Sequence, residues 1–231
     1  MVALYQARRD QQVEARAERA ATEFSAFLED YIEQRRSKPA DDLISHLIAA
    51  EEDGERLNHE ELIATCVLLL NAGHEATVHA IGNSVAAMLN TRIDLEAAFA
   101  DPTSLASTVE EALRFDAPLH LFTRFALEDV EVFGRRFRRG EEVGCLLAAA
   151  NRDPALYPEP DVFKPERNPK QNVSFGAGIH FCLGAPLARL EMACALPALL
   201  AQGNLRLAAK PVFADRYHFR GLTALMVTRE A

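Results

Sequence analysis

At 231 residues and a formal net charge of −9, the chain lacks the basic face that phosphate binding demands, which argues against a nucleic-acid partner. Hydrophobic residues make up 49% and charged residues 26%, proportions ordinary for a soluble globular protein with a core of its own. The four cysteines, Cys66, Cys145, Cys182 and Cys194, have no framework spacing, so a reducing, cytoplasmic setting is expected. Residues 1–20 are rich in Arg, Glu and Gln, so no secretory signal is expected there. The longest apolar run, 183–201, contains Arg189, Glu191 and Pro197, so no membrane span is expected.

Taken in order, residues 2–37 read as one long helix, with Phe24, Phe27, Leu28 and Tyr31 on its apolar stripe and a charged, Ala-rich first half. Lys38-Pro39-Ala40 breaks it. A second helix carries Leu43, Ile44, Leu47 and Ile48 on one face and is expected to end near Gly54. A third starts at an Asn58/Glu61 capping pair and runs to about Asn90. Its segment from Leu62 to Leu70 is apolar on nearly every side, the mark of a buried helix. In its middle stands Ala72-Gly73-His74-Glu75-Ala76-Thr77. A mid-helix glycine costs about 1 kcal/mol relative to alanine, and a carboxylate in a buried helix needs a reason.

A short helix near 92–100 leads to another at 104–115, with Val109 and Leu113 inward and an acid–base pair, Glu111 and Arg114, three residues apart. Such pairs are mostly surface salt bridges worth about 0–1 kcal/mol. Short strands follow: 122–126 alternates, and 130–133 with 143–147 reads as a hairpin around Gly134 and Gly140. The fold class is mainly α with small β-sheets, α+β.

The chemistry concentrates in residues 175–189. Cys182 lies between Gly178 and Gly184, with His180 two residues before it and an apolar helical run after it: Leu183, Leu187, Leu190, Ala193 and Cys194. Glycines at 176, 178 and 184 let backbone approach a large flat ligand. A helix N-terminus favours negative charge on a cysteine sulfur. The arrangement suits presentation of a thiolate to a metal; a buried structural cysteine is the plainer alternative, and no second Cys or His stands at zinc-ligand spacing.

The pattern Phe-Gly-x-Gly-x-His-x-Cys-x-Gly, here Phe175, Gly176, Gly178, His180, Cys182 and Gly184, resembles the haem-binding loop of the cytochrome P-450 superfamily of the bacterial soluble type. The resemblance implies haem b (iron protoporphyrin IX) with Cys182 as axial ligand, Phe175 shielding its sulfur and His180 bonding a propionate. The segment at 72–77 is similar to the central I helix of that family. Gly73 is then expected to make room for oxygen, and Glu75 to feed it protons. The family's alcohol directly after the acid is replaced by Ala76, leaving only Thr77, which sits about 100° further round the helix.

By the same resemblance Glu111 and Arg114 form the K-helix pair. Arg167, in Phe163-Lys164-Pro165-Glu166-Arg167, is the third member of a buried cluster. Arg124 stands where relatives place a propionate-binding arginine. Leu119, His120 and Leu121 line the substrate side, and 220–225 is the terminal β-hairpin.

The likeness runs from about the family's G helix to its C-terminus. Residues 1–231 are therefore expected to be the C-terminal part of a single domain whose N-terminal half is absent. What it implies is a monooxygenase that inserts one oxygen atom of dioxygen into a small hydrophobic substrate, with a ferredoxin-type or flavin electron donor. Two alternatives stand beside it. One is an inactive or partner-dependent haem-binding fragment, completed by the missing half as a separate chain. The other, prompted by Ala76, is a peroxide-driven or isomerising haem-thiolate enzyme.

Overall fold

The structure, a computed structural model, describes residues 10–49, 57–169 and 171–230. The chain divides into two compact units, Met1–Glu75 and Ala76–Ala231.

In the first unit α1 spans Gln11–Ser37 and α2 spans Leu43–Ala49. The expected single helix over 2–37 does not run through Asp10. Asp10 has an extended backbone, and its carboxylate accepts the Val13 N–H at 2.7 Å, so the helix starts one residue later. Residues 2–9 lie outside the described residues, as does the expected end of α2 near Gly54. α3 spans His59–Thr91, with an Asn58/Glu61 capping box that is reciprocal: the Asn58 N–H reaches Glu61 at 2.8 Å, and the Glu61 N–H reaches Asn58 at 2.9 Å.

Leu28 and Ile32 of α1 pack with Leu62, Ile63 and Cys66 of α3, and Ile44, Leu47 and Ile48 of α2 close over them. The apolar girdle of α3 is buried on that side alone. Leu68, Leu69 and Leu70 are exposed, contrary to the expectation of a helix covered all round. A helix apolar on every face buries only the faces that find a neighbour, and α1 and α2 cover one.

In the second unit the end of α3, α5 (Pro102–Phe115) and α7 (Ala185–Leu200) pack through Met88, Val109, Leu113, Met192 and Leu196. α4 (Leu95–Ala98) is capped by Asp94, and α5 by Asp101 with Pro102 at its first position. The apolar run that follows Cys182 faces outward. Leu183, Leu187, Leu190 and Cys194 are exposed, while Met192, Leu196 and Leu200 fill the core. The helix is apolar on both sides, so periodicity could not tell which side would be buried.

The strands pair antiparallel, two by two. β1 (Leu121–Phe125) pairs with β4 (Glu142–Leu146), Thr123 opposite Gly144. β2 (Val130–Val132) pairs with β3 (Arg135–Phe137). β5 (Asn204–Leu207) pairs with β8 (Val227–Glu230), and β6 (Val212–Phe213) with β7 (Leu222–Ala224). Strand 143–147 is therefore not the hairpin partner of 130–133. That partner is β3, across a two-residue turn in which Phe133 and Gly134 both have positive φ, 49° and 75°. This is the primed turn whose twist suits a tight hairpin. The terminal segment 220–225 supplies the single strand β7, and its partner β6 lies eight residues upstream. A short helix, α6 (Leu147–Ala150), follows β4. Among the described residues no helix is long and apolar enough to cross a membrane.

Candidate functional site

Cys182 sits in the entry turn of α7. The chain reaches it through Gly176 and Gly178, with φ of 72° and 68°, conformations that a β-carbon would strain. A 3-10 turn over Gly178–His180 follows. The Cys182 N–H then donates to the Phe175 carbonyl at 3.0 Å, and the Cys182 carbonyl accepts from Ala185 at 3.2 Å. One bond closes the loop and the other joins it to the helix. Gly184 precedes α7 without a side-chain cap, and a β-carbon there would lie 3.9 Å from the Cys182 sulfur. The cysteine is exposed, at the positive end of a sixteen-residue helix. Its neighbours Ile179 and Leu183 are 98% and 89% exposed, and Phe181 is half exposed, so the sulfur stands on an open apolar surface. His180 is exposed on the same loop.

The structure brings Glu111, Arg114 and Arg167 together beside this loop's approach. Glu111 and Arg114 are 0% and 1% exposed. Their pairing is bidentate: Arg114 Nε to Oε2 at 2.7 Å and Nη2 to Oε1 at 2.9 Å. Glu111 also accepts the Lys164 N–H at 2.8 Å and Arg167 Nε at 3.3 Å. Arg114 continues to the carbonyls of Asn151 and Pro160, both at 2.9 Å. Arg167 bonds the carbonyls of Pro158, Glu159 and Val162. Three charged side chains thus staple an irregular stretch, 157–167, that has little regular hydrogen bonding of its own. Tyr157 lies under the Arg114 guanidinium at 5.2 Å, and burial pushes its phenol above the ordinary range.

Asn151, 1% exposed, extends this network to the cysteine loop. Its amide nitrogen donates to Ser174 Oγ and its amide oxygen accepts the Val173 N–H, both at 2.8 Å; Ser174 Oγ in turn donates to the Leu113 carbonyl at 2.8 Å. Sequence reasoning did not single out Asn151, because a lone asparagine after a short helix carries no pattern. The other expected site residues lie on β1 and α3. The Arg124 guanidinium donates to the Thr123 carbonyl at 2.9 Å and lies 5.5 Å from the Phe122 ring centre, both on β1. On α3, Gly73 is exposed, and a β-carbon there would meet nothing within 4 Å. Glu75, Ala76 and Thr77 are half-buried, and the helix is unbroken through all four.

The family model for cytochrome P-450 matches residues 8–93 and 97–221. The chain belongs to the cytochrome P-450 family. Its relatives include a "Putative cytochrome P-450 YjiB" of Bacillus subtilis (strain 168), 45% identical over 179 residues, 78% of this chain and 45% of that protein. Another is a "Vitamin D(3) 25-hydroxylase" of Pseudonocardia autotrophica, 45% identical over 208 residues, 87% of this chain and 52% of that protein. Among solved structures, P-450BioI in complex with hexadec-9Z-enoic acid ligated acyl carrier protein superposes with a TM-score of 0.92 at 37% identity. That match covers 99% of this chain and 59% of the other. The chain spans about half the length of the curated relatives it matches.

P-450 membership implies a haem-iron cofactor, and the cysteine loop fits such a group. It offers a single soft sulfur donor on an apolar surface, and glycines clear the flanks where a flat macrocycle would approach. The macrocycle carries its own nitrogen ligands, so one protein donor suffices.

Proposed function

We propose that residues 1–231 form the C-terminal part of a single P-450 domain and carry the haem-thiolate centre of a monooxygenase, with haem b held by Cys182. The observation that supports this reading most directly is the sulfur itself: exposed, at the N-terminus of α7, with its backbone tied to Phe175 and its flanks cleared by glycine. Bound there, the iron supplies dioxygen activation and the insertion of one oxygen atom into a small hydrophobic substrate, fed by a ferredoxin-type or flavin electron donor. An apolar substrate accords with relatives named for vitamin D(3) hydroxylation and for a complex with a fatty-acyl carrier protein.

The chain's own residues take these parts. Cys182 holds the sulfur as thiolate, and Phe175 covers the loop behind it. His180 and Arg124, both exposed, are free to turn toward carboxylate groups of the cofactor. Glu111, Arg114 and Arg167 keep 157–167 in place. On α3, Gly73 leaves open space, and the Glu75 carboxylate is the group that carries a proton toward it.

Two observations favour neighbouring readings. Ala76 offers no hydroxyl beside Glu75, which favours a peroxide-driven or isomerising variant, since peroxide arrives with the protons that the relay would otherwise deliver. The exposed leucines of α3 and α7 favour a chain that acts only when a partner covers them. Haem titration of the chain and of Cys182→Ser tests the main reading: saturable, stoichiometric binding by the parent alone is expected, and equal binding by both overturns it. Turnover with peroxide and no electron donor would select the peroxide reading.

A further inference from the structure

α5 carries two adjacent glutamates, about 100° apart around the helix, and they face different duties. Glu111 holds the 157–167 stretch. Glu110 turns toward α7, where Arg189 meets it with both ends of its fork: Nε pairs with Oε1, and Nη2 reaches Oε2 at 3.1 Å. The same Oε2 accepts Asn172 Nδ2 at 2.8 Å, and the Asn172 side-chain oxygen accepts the Ser174 N–H at 3.2 Å. Arg189 also lays its guanidinium over the Phe175 ring, 4.5 Å from its centre. Phe175 is the residue whose carbonyl receives the Cys182 N–H.

We propose that Glu110 and Arg189 form a clamp that positions the cysteine loop, and with it Cys182, by gripping Asn172 and Phe175 between α5 and α7. The proposal rests on the reading of Cys182 as the cofactor ligand. A pair that merely glued the two helices would be redundant, because Val109, Leu113, Met192 and Leu196 already pack them together. Among the described residues, the further hydrogen bond and ring contact of the pair fall on the loop instead. Glu110 fixes where the loop leaves α5's side, and the planar Arg189 head fixes the tilt of Phe175. The carbonyl of Phe175 then fixes where the Cys182 backbone lies. An arginine suits the role where a lysine would not, since one planar group serves the carboxylate at its edge and the ring on its face. Both are positioning residues: neither contacts the sulfur.

Hydrogen exchange on the full chain without haem, read by mass spectrometry on peptides covering 173–183 and 190–200, tests the clamp. Glu110→Gln and Arg189→Met should each speed exchange in 173–183 by about tenfold, the loss of one charge-assisted contact. The double variant should go no further than either single one, because the two residues act as a unit. Peptide 190–200 should keep its protection, and Arg189→Lys should fall between parent and Arg189→Met. Unchanged exchange in the singles, additive effects in the double, or equal loosening of both peptides would overturn the proposal; the last would make the pair a general structural bridge. The measurement needs no haem, so its failure is separate from failure of the Cys182 assignment, which the haem titration of Cys182→Ser reads independently.

Discussion

Glu111→Ala removes the most heavily used carboxylate among the described ion pairs. In the native chain that group collects Arg114 twice, at 2.7 and 2.9 Å, the Lys164 N–H at 2.8 Å and Arg167 at 3.3 Å. Its loss leaves a guanidinium 1% exposed with no counter-charge, and a backbone N–H at the start of the 165–167 turn without its acceptor. Breaking a buried pair in this way costs about 3–5 kcal/mol, against a total stability of roughly 5–15 kcal/mol for a typical domain. The variant should therefore melt at much lower urea than the parent with a similar slope. Glu111→Gln keeps the shape and part of the hydrogen bonding and should fall between them. Arg136→Ala, which breaks the exposed pair with Asp129 and leaves the Arg139 N–H its acceptor, is the control and should leave the melt unchanged. A Glu111→Ala melt within about 1 kcal/mol of the parent would refute the reasoning, because a buried unpaired arginine cannot be that cheap.

Burial, reinforced by the nearby Arg220, holds the His120 imidazole below its usual value of 6.5. Below that value the unfolded chain binds the proton first, so stability should be full above about pH 6.5 and fall as pH drops toward the lowered folded value; His120→Gln should flatten the curve of melting temperature against pH. Gly221 packs against the His79 ring so closely that a β-carbon would overlap it. Gly221→Ala should lower the melting temperature, and adding His79→Ala should restore most of the loss. The exposed Leu68, Leu70, Leu187 and Leu190 should make the chain associate as concentration rises, read by light scattering across a dilution series, and replacing these four with Ser or Gln should reduce it.

What could be read from the sequence is what short spacing encodes. The Asn58/Glu61 cap follows from residue type and offset, whereas the roles expected of Cys182 and of the Glu111/Arg114 pair came from the family resemblance, since an acid and a base three residues apart read by spacing alone as a surface pair. Strand pairing was not legible. β1 and β4 are five residues each and are separated by a second hairpin, so nothing local marks them as partners. The Phe133-Gly134 turn was the available signal for β3, masked by the arginines that follow it. The bare leucines of α3 misled because an apolar helix announces that it could be buried, and only its neighbours decide which face is. Asn151, Glu110 and Arg189 were invisible because each acts on residues more than ten positions away.

The most direct measurement of the central claim is the spectrum of the haem-reconstituted chain after reduction and addition of carbon monoxide. Thiolate ligation by Cys182 predicts a strongly red-shifted Soret band in the parent and its loss in Cys182→Ser, with Cys145→Ser and Cys194→Ser retaining it. A parent spectrum without that shift, or a shifted band that survives Cys182→Ser, would contradict the account.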